Sequence, residues 1–216
     1  EMQQALARHF VKPTITVITN ALVDHVDEIG GTEAETAASL RYSLNKDTTL
    51  VTDAALFADC PNRVTGDTDK LPEGYLGRFS FPVFEENIRL ALKVASLAGV
   101  PRDQALAAMT NARPDTGMAG PFKMGETVVY NAFAANDAVS AELLYERMRA
   151  QEEAAPLTVI FNNRADRMYR MRTFLPLLRR TLKQQPRLLV IGEENKAAAR
   201  YFEKKLAYPC TAVKTD

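Results

Sequence analysis

Cysteine is scarce in this sequence of 216 residues: only Cys60 and Cys210 occur, far apart and in no CxxC spacing. That excludes a disulfide scaffold or a cysteine zinc site and fits a reducing cytosol. Net charge is missing as well, with 27 Lys+Arg against 27 Asp+Glu. No global field therefore draws the chain onto nucleic acid or an anionic membrane. No apolar run approaches the ~18 residues needed to cross a bilayer, and the opening does not read as a signal peptide. Several chemical signatures are absent too: the GxxxxGK-Ser/Thr phosphate cradle, the GxGxxG dinucleotide fingerprint, HExxH and GxSxG. His9 and His25 are the only histidines, so Ser–His or Cys–His catalysis would need one of them. What is present is ordinary globular material, 46% hydrophobic and 25% charged, enough for one large domain or two small ones. The first residue is Glu1 rather than Met, and the chain is expected to be a piece of something longer.

Short apolar runs alternate with helical patterns. Residues 14–20 (TITVITN) are β-branched and unbroken, as in a strand buried on both faces. Thr32 and Glu35 form a capping box, and a helix is expected from there to about Leu44. Residues 48–52 read as a second buried strand, and 59–78 as irregular chain with a short strand near Arg63-Val64. A helix over 83–98 carries Phe84, Ile88, Ala91, Leu92 and Ala95 on one stripe and ends at Gly99. Pro101 opens another through Met109, since its missing N–H is harmless in a first turn. Five Gly and Pro residues within 112–126 mark a domain boundary, which divides the chain into 1–125 and 126–216.

Beyond that boundary a strand at 127–133 leads to a helix capped by Asp137 and running to about Ala150. A strand at 157–162 precedes a helix with Met171, Phe174, Leu175, Leu178 and Leu182 on one face, kinked or restarted at Pro176. A strand at 187–191 and a helix at 193–206 complete the series. Such repetition implies an α/β fold, with parallel sheets covered on both faces and right-handed crossovers. Sites in such folds form where strands end and helices begin.

Three such places carry polar clusters. The first, Asn20 through Asp27, puts Asp24, His25 and Asp27 on one loop. They could hold a hard cation such as Mg2+ or Mn2+, or they could simply cap the next turn and make structural hydrogen bonds. The second, Asn131 to Asp137, precedes a helix whose N-terminus could seat a phosphate; plain N-capping by Asn136 or Asp137 is the simpler reading. The third, Asn162-Asn163-Arg164-Ala-Asp166-Arg167, could grip phosphate or carboxylate through bidentate hydrogen bonds. From Asn162 to Arg187 eight residues are basic and one, Asp166, is acidic. A run of that kind is usually a solvated helix face. No aromatic residues alternate with these cations in the manner of a stacking platform, which argues against nucleic acid as a partner.

Three stretches in order resemble the poly-γ-glutamate synthase ligase subunits, relatives of the Mur ligases: the DHVD loop, FPVFEENIRLALKVASLAGV, and NAFAANDAVS with FNNRADRMYR. The resemblance spans about residues 1–192. It implies a parallel-sheet, three-layer central domain, present in part, followed by a Rossmann-like C-terminal domain. It also implies ATP-dependent amide formation: a carboxylate is phosphorylated, and the amine of an incoming glutamate attacks the acyl phosphate. Carried over by position, His25 would be a metal-site residue for Mg2+ (or Mn2+), with Asp24 and Asn20 organising its loop. Asn87 would lie near adenine. Asn131 and Asn163 would belong with the nucleotide-binding set, and Asn136, Asp137, Arg164, Asp166 and Arg167 would reach ATP on domain closure. The family's P-loop and metal-binding glutamate lie upstream of the DHxD strand, before this chain begins. Ser39 stands where Mur ligases often carry a carbamylated lysine, and Asn131 stands for a leading Asp. The expected partners are glutamate or poly-γ-glutamate and the membrane subunits of a capsule synthase complex. That places the protein in the cytoplasm, held at the membrane through those subunits; a homo-oligomer is compatible with this. Two other readings remain: a non-catalytic scaffold that kept the ligase fold, and a module binding an anionic polymer through the arginines of 164–187.

Overall fold

The computed structural model describes residues 2–23, 26–113, 117, 121–135, 137–151 and 156–214. The chain divides into two compact units, Glu1–Val129 and Tyr130–Asp216.

The first unit opens with a short helix α1 (Met2–Leu6) that continues as a π-helical turn, Ala7–Val11, ahead of the first strand. Its three-stranded sheet consists of β1 (Ile15–Val17), β2 (Thr49–Val51) and β3 (Arg63–Val64), all parallel and in sequence order. The strands are shorter than the apolar runs suggested, and Val17 is exposed rather than buried. A single turn α2 (Val26–Ile29) precedes α3 (Glu33–Arg41), which crosses from β1 to β2. Its capping box is present in a shifted form. The Glu35 amide donates to the Thr32 hydroxyl at 3.2 Å, while the Glu35 carboxylate accepts from the Gly31 amide at 2.9 Å rather than from the cap's own N–H. Ile18, Ala21, Ala37, Leu50 and Phe57 form the core under α3.

A second core is built on α4 (Glu85–Leu97) and α5 (Arg102–Met109). Ile88 and Leu92 of the expected stripe pack there with Leu71, Tyr75, Phe79, Ala105 and Leu106. The Tyr75 hydroxyl, buried with its ring, donates to the Leu106 carbonyl at 2.7 Å, as a buried phenol must find an acceptor.

The strand expected at 127–133 differs from what the fold contains. β4 (Phe122–Met124) and β5 (Thr127–Val129) form an antiparallel hairpin, and the chain beyond Val129 leaves it as a loop. The two-residue turn needs a positive φ, which Gly125 provides at +60°. An apolar run records that a strand is buried on one side or another, not the direction of its partner.

In the second unit, α6 (Ala138–Gln151) precedes a parallel sheet of β6 (Thr158–Asn163), β7 (Arg187–Gly192) and β8 (Cys210–Ala212). The stretch around Pro176 is broken into α7 (Arg170–Thr173) and α8 (Leu175–Thr181), with the proline in the first turn of α8 where its absent N–H does no harm. α9 (Asn195–Leu206) links β7 to β8. Leu175, Leu178, Leu188, Val190, Ala198, Ala199, Phe202 and Leu206 make the core between the sheet and α8 and α9. Burial and the carboxylate of Glu203 push the Cys210 thiol up to about 11, so it is an inert core group. Cover of the second face is incomplete at β6, although Leu189 and Ile191 of β7 are half-buried there. Val159 and Phe161 point into the core, while Ile160, which strand alternation puts on the other face, stays 48% exposed.

Candidate functional site

The carboxyl ends of parallel strands collect functional groups, because loops there are aimed by a rigid sheet. In the second unit two such loops are locked together. β6 ends at Asn163, which is 2% exposed; its side-chain amide donates to the Glu193 carbonyl at 2.7 Å. The Glu193 amide donates back to the Asn163 carbonyl at 3.0 Å. The Glu193 carboxylate then reaches the Ala165 amide at 2.9 Å, fixing the turn Ala165–Arg167 from across the sheet edge. Gly192 makes the close approach feasible. Its φ is +83°, and a Cβ there would stand 2.3 Å from the Asn163 carbonyl oxygen.

On that turn Arg164 grips Asp166 bidentately, Nε to Oδ1 at 2.9 Å and Nη2 to Oδ2 at 2.7 Å. Arg167 approaches the same carboxylate at 3.8 Å. The Arg164 hydrogen bonds hold the Asp166 carboxyl below the usual carboxylate range, with Arg167 adding to the effect, and Asp166 in turn raises the Arg164 guanidinium. Two guanidiniums, Arg164 exposed and Arg167 largely buried, thus meet two carboxylates on this turn, Asp166 directly and Glu193 through the Ala165 amide. That is a setting in which an incoming phosphate or carboxylate can exchange for, or share, a carboxylate partner.

Other residues singled out by the sequence sit as follows. The Asp137 carboxylate caps α6, accepting from the Ser140 amide at 2.8 Å and its hydroxyl at 2.7 Å. Asn131 turns its side-chain oxygen to the Phe133 amide at 3.1 Å. In the first unit Asn20 does the same for the Leu22 amide at 3.1 Å. Asn87 is exposed on the first turns of α4. Asp24, His25 and Asn136 lie outside the described residues.

The loop after β3 is also fixed. Arg89 donates to the carbonyls of Asp67 and Asp69 while paired with Glu85 at 2.6 Å, and Arg102 pairs with Asp67 at 3.2 Å. Among the described residues no group of three or more His, Cys, Asp or Glu could hold a metal ion. Gly192 and Glu193 had no signal in the sequence beyond their place at the end of an apolar run, because their role comes from a neighbouring strand thirty residues away.

The fold defines a class: an α/β protein whose architecture is shared with Mur ligases. The chain is similar in fold to MurF from Acinetobacter baumannii, with TM-score 0.60 and 11% identity over 95% of this chain and 51% of that one. It is likewise similar to FPGS in complex with AMPPCP and folate, with TM-score 0.52 and 14% identity over 96% of this chain and 60% of that one. Residues 119–213 match the family model described as the poly-gamma-glutamate synthase CapB C-terminal domain. Over 213 residues the chain is 30% identical to the capsule biosynthesis protein CapB of Bacillus anthracis, covering 90% of this chain and 45% of that protein. It is 29% identical over 226 residues to the PGA synthase CapB of Bacillus subtilis (strain 168), covering 94% and 55%. The chain thus spans about half the length of the curated relatives it matches.

Proposed function

We propose that this chain is the downstream part of an ATP-dependent acid–amino-acid ligase that joins glutamate units through an acyl phosphate. The observation that carries the reading is the Arg164–Asp166–Arg167 turn, clamped at a strand's carboxyl end inside the stretch matching the CapB C-terminal domain. One solved neighbour in fold is FPGS bound to AMPPCP, an ATP-like nucleotide, which supports a nucleotide as the ligand. ATP would supply the phosphoryl group that activates the carboxylate.

Arg164 and Arg167 fit an anion of that kind: they would neutralise charge as it develops on the transferred group, and Asp166 would hold both guanidiniums in register until the anion arrives. Asn163 is committed to the clamp, so its part is to position this turn. Asp137, Asn131 and the neighbouring Asn136 would organise the adjoining helix start, Asn20 the loop of Asp24 and His25, and Asn87 an adenine-facing surface. Mg2+ (or Mn2+) would be held at His25, outside the described residues, among which no group of three or more His, Cys, Asp or Glu could hold a metal ion. Nor does the sequence contain a P-loop to cradle the β- and γ-phosphates. The 216-residue chain by itself is therefore expected not to turn over ATP. Glutamate or poly-γ-glutamate would be the substrate and the membrane subunits of a capsule synthase the partners, with the protein cytoplasmic and held at the membrane by them.

The test is glutamate incorporation with release of ADP and phosphate by the full-length protein. Arg167→Ala is expected to lower kcat/KM about 100-fold, the scale of removing one charge-stabilising donor. Unchanged turnover in that variant would take Arg167 out of the reaction.

A further inference from the structure

The strongest uncommitted feature of the second unit lies at the opposite edge of its sheet, where β7 and β8 begin. In a parallel sheet the crossover helices run back against the strands, so α8 and α9 both deliver their C-terminal ends to this edge. The two turns that follow them are pinned together. The Tyr208 hydroxyl donates to the Pro186 carbonyl at 2.8 Å, and Arg179 reaches the Lys205 carbonyl at 3.5 Å. Around these contacts stand Arg179, Arg180, Lys183, Arg187, Lys204 and Lys205, all exposed.

Three carboxylates lie close by. Glu142 and Glu146 both pair with Arg180, and Glu203 accepts from the Cys210 amide at 3.3 Å. Helix dipoles explain cations in the last turns of α8 and α9, each stabilised by partial negative charge there. They cover Lys183 too, in the 3-10 turn Leu182–Gln184 that continues α8, but they do not explain Arg187, which is the first residue of a strand. Because the whole chain is neutral, 27 against 27, this density is local and is offset elsewhere.

We infer that this amino-edge cluster is a docking surface for a polycarboxylate chain, the glutamate polymer that the proposed reaction would extend. This rests on the ligase reading above and deepens it. Charge complementarity selects the occupant. Of the exposed large hydrophobics of this unit, Val139 and Leu143 lie on α6, which meets the cluster through Arg180, and none lies on α8, α9 or the turns that carry the cations. The cation-bearing segments therefore lack the apolar anchors that a membrane-surface helix or a globular partner uses. Tyr208 is half-buried with its hydroxyl committed, so no stacking platform for nucleic acid is present here among the described residues. A flexible polyanion needs only a field of mobile cations, and its binding is correspondingly salt-sensitive.

The experiment uses the full-length protein with fluorescently labelled polyglutamate of about twenty units, alongside vesicles of phosphatidylglycerol and phosphatidylcholine. Polymer affinity is expected to fall at least tenfold between 50 and 200 mM salt. The triple variant Lys183→Glu, Arg187→Glu, Lys204→Glu should lose at least tenfold at low salt while keeping its turnover on a single-glutamate acceptor. The charge-neutral variant Lys183→Gln, Arg187→Gln, Lys204→Gln should fall between the two, which guards against a folding defect. Polymer binding unchanged in the triple variant would overturn the inference, as would tighter binding to the vesicles than to polyglutamate. Absence of any ATP-dependent incorporation by the wild type would instead sink the ligase reading, since polymer binding is read separately.

Discussion

Asp166 is the residue on which the site's charge turns. Its pKa is lowered in the folded chain by the Arg164 hydrogen bonds first, with Arg167 a smaller influence. A carboxyl whose folded pKa lies below its unfolded value contributes order that is complete above the ordinary carboxylate range. That contribution fades as pH falls through the lowered value. Both groups are exposed, so the effect concerns the loop and not the stability of the unit. Removing the dominant partner should therefore raise the titration midpoint. In Arg164→Ala, carbon-detected NMR of the Asp166 carboxyl is expected to show the midpoint moving up toward that of a free aspartate. An unmoved midpoint would transfer the role to Arg167. The motif that drew attention to this loop, two arginines beside an aspartate just after an apolar run, was readable because strand ends are legible from composition. That Asn163 faces inward was not, since which side of a strand is buried depends on what packs there.

Gly192 shows how a site is held by an element that carries none of its chemistry. An alanine there would meet the Asn163 carbonyl at 2.3 Å and keep a φ of +83°, so β7 or the β6 exit must shift. The backbone conformation alone costs on the order of 1–3 kcal/mol for a residue with a Cβ. Gly192→Ala is expected to lower the unfolding free energy by at least that much, read as a lower denaturant midpoint at unchanged slope, and to loosen the Ala165 amide, seen as faster hydrogen exchange. A midpoint equal to wild type would mean that the two loops are not coupled through this contact. At this scale the helices with strong stripes, α4 and α8, and the restart at Pro176 were legible because periodicity and proline act within one element. The antiparallel hairpin, the three-residue β8 and the opening π-helical turn were not. Their existence is set by partners distant in sequence, and each is too short for a periodic signal.

For the molecule as a whole, the second unit has the makings of an independent folding body. Its core draws on α8, α9, β6, β7 and β8, with Phe202 at its centre, 1% exposed and edge-on to Phe161 at 4.9 Å. The first unit builds separate cores around Phe57 and around Tyr75. Truncating a buried phenylalanine leaves a cavity and typically costs about 3–5 kcal/mol, which is a large fraction of the stability of a unit this size. If the two units unfold separately, Phe202→Ala should lower one calorimetric transition and leave the other in place. Leu92→Ala, in a core of the first unit, should do the converse. Should both variants instead shift a single transition together, the chain would be one cooperative body.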